Sequence, residues 1–405
     1  MALPLEGVKV LDFTAVMAGP YCTLMLADMG ADVTKIEAFP EGDGSRRFEP
    51  KVNDESYCFA VLNRNKKSLA LDMKQPRGKG IFMQLAAETD IFVENYRPGV
   101  TRNLGIDFDS LKAVNPGIIY ASISGFGQTG PHSRKGGFDI IAQGMSGIMR
   151  MTGEPGGRPA KVGIAMNDIA AGATALYAIL ASYIKKLKTG EGAYLETSLL
   201  EAGLAWTFWE FGAYFGSGEI PLANGTRHRR STPYQAYQTE DGYVTVGANN
   251  DKLWTNFCTQ VLAKPQLLED PRFETLSARL QNIDALQDEI EKVFMAHPTS
   301  YWVPRLDAAA VPGGPVYTYD QALADPHIRA RNMVTEIDHP KIGRMKNLGS
   351  PVKASGEFTA FRAAAPWLGQ HSDAVLKNLG YNDGQIAALH AQGIVYDKYR
   401  GKTPS

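Results

Sequence analysis

Residues 8–37 read "VKVLDFTAVMAGPYCTLMLADMGADVTKIE". "VKVLDF" is a short apolar run of strand length. "MAGPYCTLMLADMG" follows as a turn entering a helix, and "ADVTKIE" supplies a second strand. The same rhythm continues downstream. "KSLALDM" precedes a helix-like "PRGKGIFMQLAAETD", "IFVENY" reads as a strand, and "DFDSLKAVN" is helical before the strand "IIYASISG". Short apolar strands alternating with helices predict an α/β domain with a largely parallel sheet.

Beyond this unit, residues 131–168 are glycine-rich and connect the sheet to the alanine-rich stretch "VGIAMNDIAAGATALYAILASYIK". "TGEGAYLETSLLEAGLAWTFWEFGAYF" adds a strand and a helix, after which the composition changes. Hairpin-like segments surround "EDG", and "DKLWTNFCTQVL" and "NIDALQDEIEKVFMAH" read as helices of a smaller α/β domain. Near the end, "KIGRMKNLGSPVKASG" reads as paired strands, and the helix near "HSDAVLKNLG" is expected to pack on the first domain. The division predicted is 1–224, 225–330 and 331–405 (a return to the large domain).

A chain of 405 residues favours more than one domain. Its 42 basic and 43 acidic residues nearly balance, which argues against a general nucleic-acid surface. Three cysteines without paired spacing suggest neither a disulfide framework nor a metal site, and fit a reducing compartment. The first residues lack the pattern of a signal peptide, and "IAAGATALYAILASYI" is short for a membrane span. A soluble, cytoplasmic protein is expected.

Asp168 stands where the alanine-rich helix begins. An aspartate there can simply cap the helix by accepting amide hydrogen bonds, or a rigid element can hold a reactive oxygen. The small residues Ala170, Ala171, Gly172, Ala173 and Ala175 allow another backbone, or a flat ligand, to come close. "GFGQTG" (125–130) follows a strand, but it runs into Pro131 rather than a long helix and lacks an acidic ribose partner, so it is not read as a nicotinamide site. Neither a serine elbow nor a paired metal-binding histidine motif is present. "RHRR" (227–230), with Lys66, Lys67, Lys74, Arg97 and Arg102, offers cations for phosphate or, equally, solvated charge.

Taken together, "LEGVKVLDFTAVMAGPYCTLMLADMGADVTKIE", "YCFAVLNRNKKSLALDM", "DIFVENYRPG", "GFDIIAQGMSG", "MNDIAAGATALYAILASY", "GEGAYLETSLLEA" and "LGQHSDAVLKNLGY" resemble the class III coenzyme A transferases across nearly the whole chain. The resemblance implies a Rossmann-like large domain with a smaller α/β domain in an interlocked, ring-like homodimer. It also implies transfer of CoA from an acyl-CoA donor to a free carboxylic acid, with no tightly bound cofactor and no metal, nucleic-acid or membrane partner. Asp168 matches the acyl-carrying aspartate, which forms an aspartyl anhydride and then an aspartyl-CoA thioester. Asp139 matches an acidic neighbour of the nucleophile, and Gly247 a mobile loop that supports catalysis. Val16, Leu71, Lys74, Asn95, Tyr96, Arg97 and Arg102 match CoA contacts.

Two departures matter. Racemases of the wider family use a histidine where this chain has Phe138, so α-proton exchange is the alternative that lacks its base; a noncatalytic CoA-binding protein is the other alternative. The four-glycine run of formyl-CoA transferases is replaced by "GANN" (247–250). That departure speaks against a formyl or oxalate assignment. The basic "RHRR" favours an acceptor with an additional carboxylate, such as succinate, itaconate, mesaconate or citramalate, or equally a contact with CoA or the partner subunit. A short-chain or dicarboxylic acid is the acceptor expected.

Overall fold

A computed structural model describes residues 2–401. Their contacts divide them into two compact units. One holds the chain up to Ile148, Lys161–Glu219 and the stretch from Arg329 onward; the other holds Met149–Ala160 and Ile220–Ile328.

The first unit is built on β1 (Lys9–Phe13), β2 (Asp32–Glu37), β3 (Lys66–Leu71), β4 (Ile91–Glu94), β5 (Ile119–Ser124) and β6 (Ala193–Ser198). Their order across the sheet is β3-β2-β1-β4-β5-β6, all parallel, with the two-residue strand Val395–Tyr396 added antiparallel at the β3 edge. This is the doubly wound order, and its direction reverses between β1 and β4. Successive strand residues face opposite sides, so each strand feeds two cores. Val10, Val33, Ile91, Ile119 and Ala121 pack with α1 (Ala18–Asp28) on one face. On the other face Leu11, Ile36, Leu69, Phe92 and Tyr120 meet α2 (Pro76–Ala87) and α3 (Phe108–Val114). The helix Ser372–Asn378 adds Val375 and Leu376 to that second cluster.

The glycine-rich connector is more structured than its composition suggested, since it contains α4 (Asp139–Met145). The alanine-rich stretch forms α5 (Met166–Thr189), followed by α6 (Leu199–Ala205) and α7 (Phe208–Ser217). Ala170, Ala171, Ala175 and Ile179 of α5 enter the core. Its other face carries Tyr177, Ile184 and Leu187 in the open, so α5 is half-buried. A Cβ on Gly172 would lie 2.5 Å from the Ala18 carbonyl oxygen, so only glycine lets α5 cross α1 at this distance.

The second unit holds an antiparallel sheet of β7 (Tyr234–Gln238), β8 (Tyr243–Gly247) and β9 (Gly313–Pro315), with β7 and β8 forming the expected hairpin around "EDG". Tyr237, Val244 and Val246 pack with Leu286, Ile290 and Phe294 of α8 (Ile283–Phe294). Residues 149–160, placed by sequence in the large domain, join this unit, where the Gly225 amide donates to the Gly153 carbonyl. In the first unit, the late strand pair is Val334–His339 with Gly343–Leu348. Its first strand lies upstream of the stretch read as paired. No described helix is long and apolar enough to cross a membrane.

Candidate active site

In open α/β sheets, ligands bind outside the carboxyl ends of the strands where the order reverses, here at β1 and β4. The chain leaving β1 turns at Val16, a β-branched residue at φ 69°, where only a firmly held backbone persists. Asn95, just past β4, brackets Ala15: its Oδ1 accepts from the Ala15 amide and its Nδ2 donates to the Ala15 carbonyl, both at 2.8 Å. Asp43 accepts the Val16 amide at 3.0 Å. The Lys35 ammonium lies 2.9 Å from Asp43 and donates to the Thr14 carbonyl at 2.7 Å. Lys66 joins Asp12 at 3.0 Å, and the side chains of Asp12, Lys35 and Lys66 are wholly buried. Burial opposes the charge of Asp43, but Lys35 and the Ser45 hydrogen bonds hold its carboxyl well below the ordinary range. A buried ionic cluster therefore fixes the turn from below.

Asp168 is the third residue of α5, whose N-cap is Ala165, so it is not the helix cap. The exposed amides are met instead by Asp139: its Oδ1 accepts from the Asn167 amide at 2.8 Å and the Asp168 amide at 3.4 Å. The helix end would favour a charge on Asp168, yet Asp139 intercepts those donors. Among the described residues, the Asp168 carboxylate has no hydrogen-bond or ion-pair partner. Burial first, and the Asp139 charge second, push it up to about 7. Asp168 shares a face with Gly172 one turn on, which puts it one turn from the crossing with Ala18, two residues beyond Val16.

The glycines explain how Asp139 arrives. A Cβ on Gly125 would meet the Gly137 Cα at 2.6 Å, so two bare backbones touch at the end of β5 and bring Gly137–Phe138–Asp139 to that strand. Gln143, fully buried in α4, secures the next step. Its Nε2 donates to Asp139 Oδ2 at 2.7 Å and to the Ile164 carbonyl at 3.2 Å, while its Oε1 accepts from the Val162 amide at 2.9 Å.

The other candidates fall into different settings. Tyr96 stands half-buried with its ring centroid 4.8 Å from that of Phe13, and its amide donates to Glu94. Lys74 and Arg97 are exposed, and the Arg97 guanidinium lies against Gly136. Arg102 borders a cavity of about 470 Å³ shared with Glu94, Thr101, Tyr120, Gln128 and Arg134. The Leu71 side chain is completely buried in the core, so a contact with a ligand there would have to come from its main chain. Gly247 ends β8 in the second unit with its amide already donated to the Pro312 carbonyl, and the Ala248 amide is donated to the Pro233 carbonyl. Of "RHRR", Arg227 is engaged by Asp284 and Gln287, and Arg229 by the Leu222 carbonyl.

Sequence reasoning missed Gln143, Asp43, Glu94 and Lys35, and its reading of Lys66 as a phosphate contact or solvated charge is corrected, since that ammonium is wholly buried against Asp12. Gln143 had a local signal, four residues after Asp139 on one helix face. Asp12 and Lys35 also had one, as charges inside strands apolar on both faces.

The chain matches the pattern of CoA-transferase family III over residues 5–372. It is 38% identical to the succinyl-CoA:glutarate CoA-transferase of Homo sapiens, over 97% of this chain and 90% of that one. It is 36% identical to the acetyl-CoA:oxalate CoA-transferase of Acetobacter aceti, over 92% and 95% of the two chains. Its fold superimposes on the crystal structure of a CAIB/BAIF family protein from Brucella suis with a TM-score of 0.85 and 34% identity, covering 94% of this chain and all of the other. The doubly wound sheet and these similarities agree: the chain belongs to CoA-transferase family III and is an enzyme of that class.

Proposed function

We propose that this enzyme moves CoA from a short acyl-CoA to a dicarboxylic acid, with Asp168 carrying the acyl group. The observation that carries the reading is a carboxylate without a partner, set in the first turn of a rigid helix beside the switch-point turn. Its raised pKa marks an oxygen that is a better nucleophile than an ordinary aspartate when ionised.

Asp168 Oδ attacks the donor thioester carbonyl and expels CoA thiolate, leaving an aspartyl-acyl anhydride. The thiolate then attacks the aspartyl carbonyl, the donor acid leaves as its carboxylate, and an aspartyl-CoA thioester remains. The acceptor carboxylate attacks that thioester and again expels thiolate. Thiolate attack on the acceptor carbonyl releases the new acyl-CoA and restores the Asp168 carboxylate. Asp139 holds the α5 amides, and with them the nucleophile's backbone, in place.

Lys74, Arg97 and Arg102 are assigned to CoA phosphates, since all three are exposed cations around the ends of β3 and β4. Tyr96, Asn95 and the Val16 turn form the wall beside them, with Leu71 contributing main chain. A dicarboxylate acceptor follows the curated relatives, whose names pair succinyl-CoA with glutarate and acetyl-CoA with oxalate. The interlocked homodimer is supported by α7, which buries none of its residues within the chain and exposes Phe208, Trp209 and Phe215. α-Proton exchange has no base here, because the position it needs is Phe138.

A mass-resolved assay tests the reading: purified protein, succinyl-CoA or acetyl-CoA, and isotopically labelled glutarate, succinate or oxalate. Formation of a labelled acyl-CoA that disappears in Asp168→Asn supports it. A folded Asp168→Asn with wild-type transfer overturns the nucleophile.

A further inference from the structure

We infer that Gln143 is a positioning residue for the Asp168 carboxylate, acting through Asp139 and through the loop that leads into α5. This rests on the proposal that Asp168 carries the acyl group. The orientation of the buried amide is dictated by its neighbours: the Val162 N–H can only donate, so it faces Oε1, and the Ile164 carbonyl can only accept, so it faces Nε2. One N–H remains, and it points at Asp139 Oδ2, 2.7 Å away. Both donors and the oxygen are used.

The loop it grips has little else to hold it. Between Lys161 and Ala165 no side chain is buried, and Ile164 is 56% exposed. Hydrogen bonds from one glutamine therefore fix both the approach to α5 and the second oxygen of Asp139, whose first oxygen already holds the α5 amides. The two oxygens of Asp139 connect two elements, and Gln143 locks the angle between them. A reacting carboxylate displaced by about 1 Å loses on the order of a hundredfold in rate.

The groups facing Asp168 bear on how this is read by pH. Asp139 lies across its amides from α4. α1 brings Tyr21 against Gly172, one turn along α5 from Asp168, and among the described residues Asp139 is the one charged group that acts on the carboxylate. Gln143→Met keeps the shape and removes all three hydrogen bonds. Gln143→Glu keeps an acceptor for Val162 but sets a carboxylate against Asp139 and the Ile164 carbonyl.

Steady-state transfer from acyl-CoA to a labelled dicarboxylate is measured across pH 5–9, with kcat referred to the folded fraction by thermal unfolding. Both variants are expected to lose about 10- to 100-fold in kcat with KM for acyl-CoA within about twofold. In Gln143→Glu the acid limb of kcat moves to higher pH, because a further carboxylate opposes ionisation of Asp168; in Gln143→Met it does not move upward. Wild-type kcat and limb in either folded variant overturn the inference, as does a loss confined to stability. If Asp168→Asn is inactive while Gln143→Met matches wild type, only the positioning role falls. If Asp168→Asn itself still transfers CoA, the nucleophile falls first.

Discussion

Replacing Asp168 by asparagine removes a group the fold holds at a cost, and the cost has a pH signature. Burial and the Asp139 charge raise this carboxyl from an ordinary 3.8 to about 7. In the unfolded chain it ionises near the lower value. Below that value both states are protonated and the side chain weighs equally on each. Between the two values the unfolded carboxyl has ionised into water while the native one stays protonated, so native stability is progressively lost as pH rises from about 4 to about 7. Above 7 the native carboxylate is charged beside Asp139 and the loss is complete. At 1.36 kcal/mol per tenfold, the ceiling is roughly 4 kcal/mol. Asp168 is only partly buried, and water reaching it reduces the effect to about 1–2 kcal/mol. Asp168→Asn should therefore unfold at the same urea concentration as wild type near pH 3.5, and be about 1–2 kcal/mol more stable at pH 8, while losing CoA transfer at every pH. A variant no more stable than wild type at pH 8 would refute the electrostatic account, whatever its activity.

Three further outcomes follow from other parts of the structure. Asp139→Ala bares the Asn167 and Asp168 amides and removes a neighbouring charge. It should cost about 1–2 kcal/mol in urea unfolding and move the acid limb of kcat to lower pH. Asp43→Asn leaves Lys35 without its nearest counter-charge beneath Val16. A loss of about 3–5 kcal/mol is expected by denaturant titration, with a raised KM for acyl-CoA measured at low temperature. Arg102→Gln, on a side chain 80% exposed, should raise KM for acyl-CoA severalfold and leave the unfolding midpoint within about 0.5 kcal/mol.

The doubly wound sheet was legible because its strands are bounded by turns and separated by helices of ordinary length; "VKVLDF" and "ADVTKIE" became adjacent parallel strands. Asp168 was legible as a residue of interest but not as the helix's third position. Its cap comes from Asp139, 29 residues earlier, and no local pattern reports such a partner. The ionic cluster under Val16 was hidden for the same reason, since Asp12, Lys35, Asp43 and Lys66 lie on three strands and a loop. Leu71 shows the reverse limit: family likeness marks a position, while periodicity would have said that its side chain belongs to the core. The stretch 149–160 looked continuous with its flanks because nothing in its composition distinguishes it, yet its hydrogen bond to Gly225 draws it into the other unit.

The short strand Val395–Tyr396 has a consequence for how the molecule is made. Leu71, near the end of β3, waits for Val395, more than three hundred residues downstream, to cover its edge. At 5–20 residues per second, a ribosome leaves that edge bare for roughly 15 to 65 seconds. During that time β3 offers unpaired amides and carbonyls beside an apolar face, the arrangement that recruits foreign strands. Expression should accordingly be more sensitive to truncation just before Val395 than to changes in exposed loops, with the shortened product collecting in the insoluble fraction.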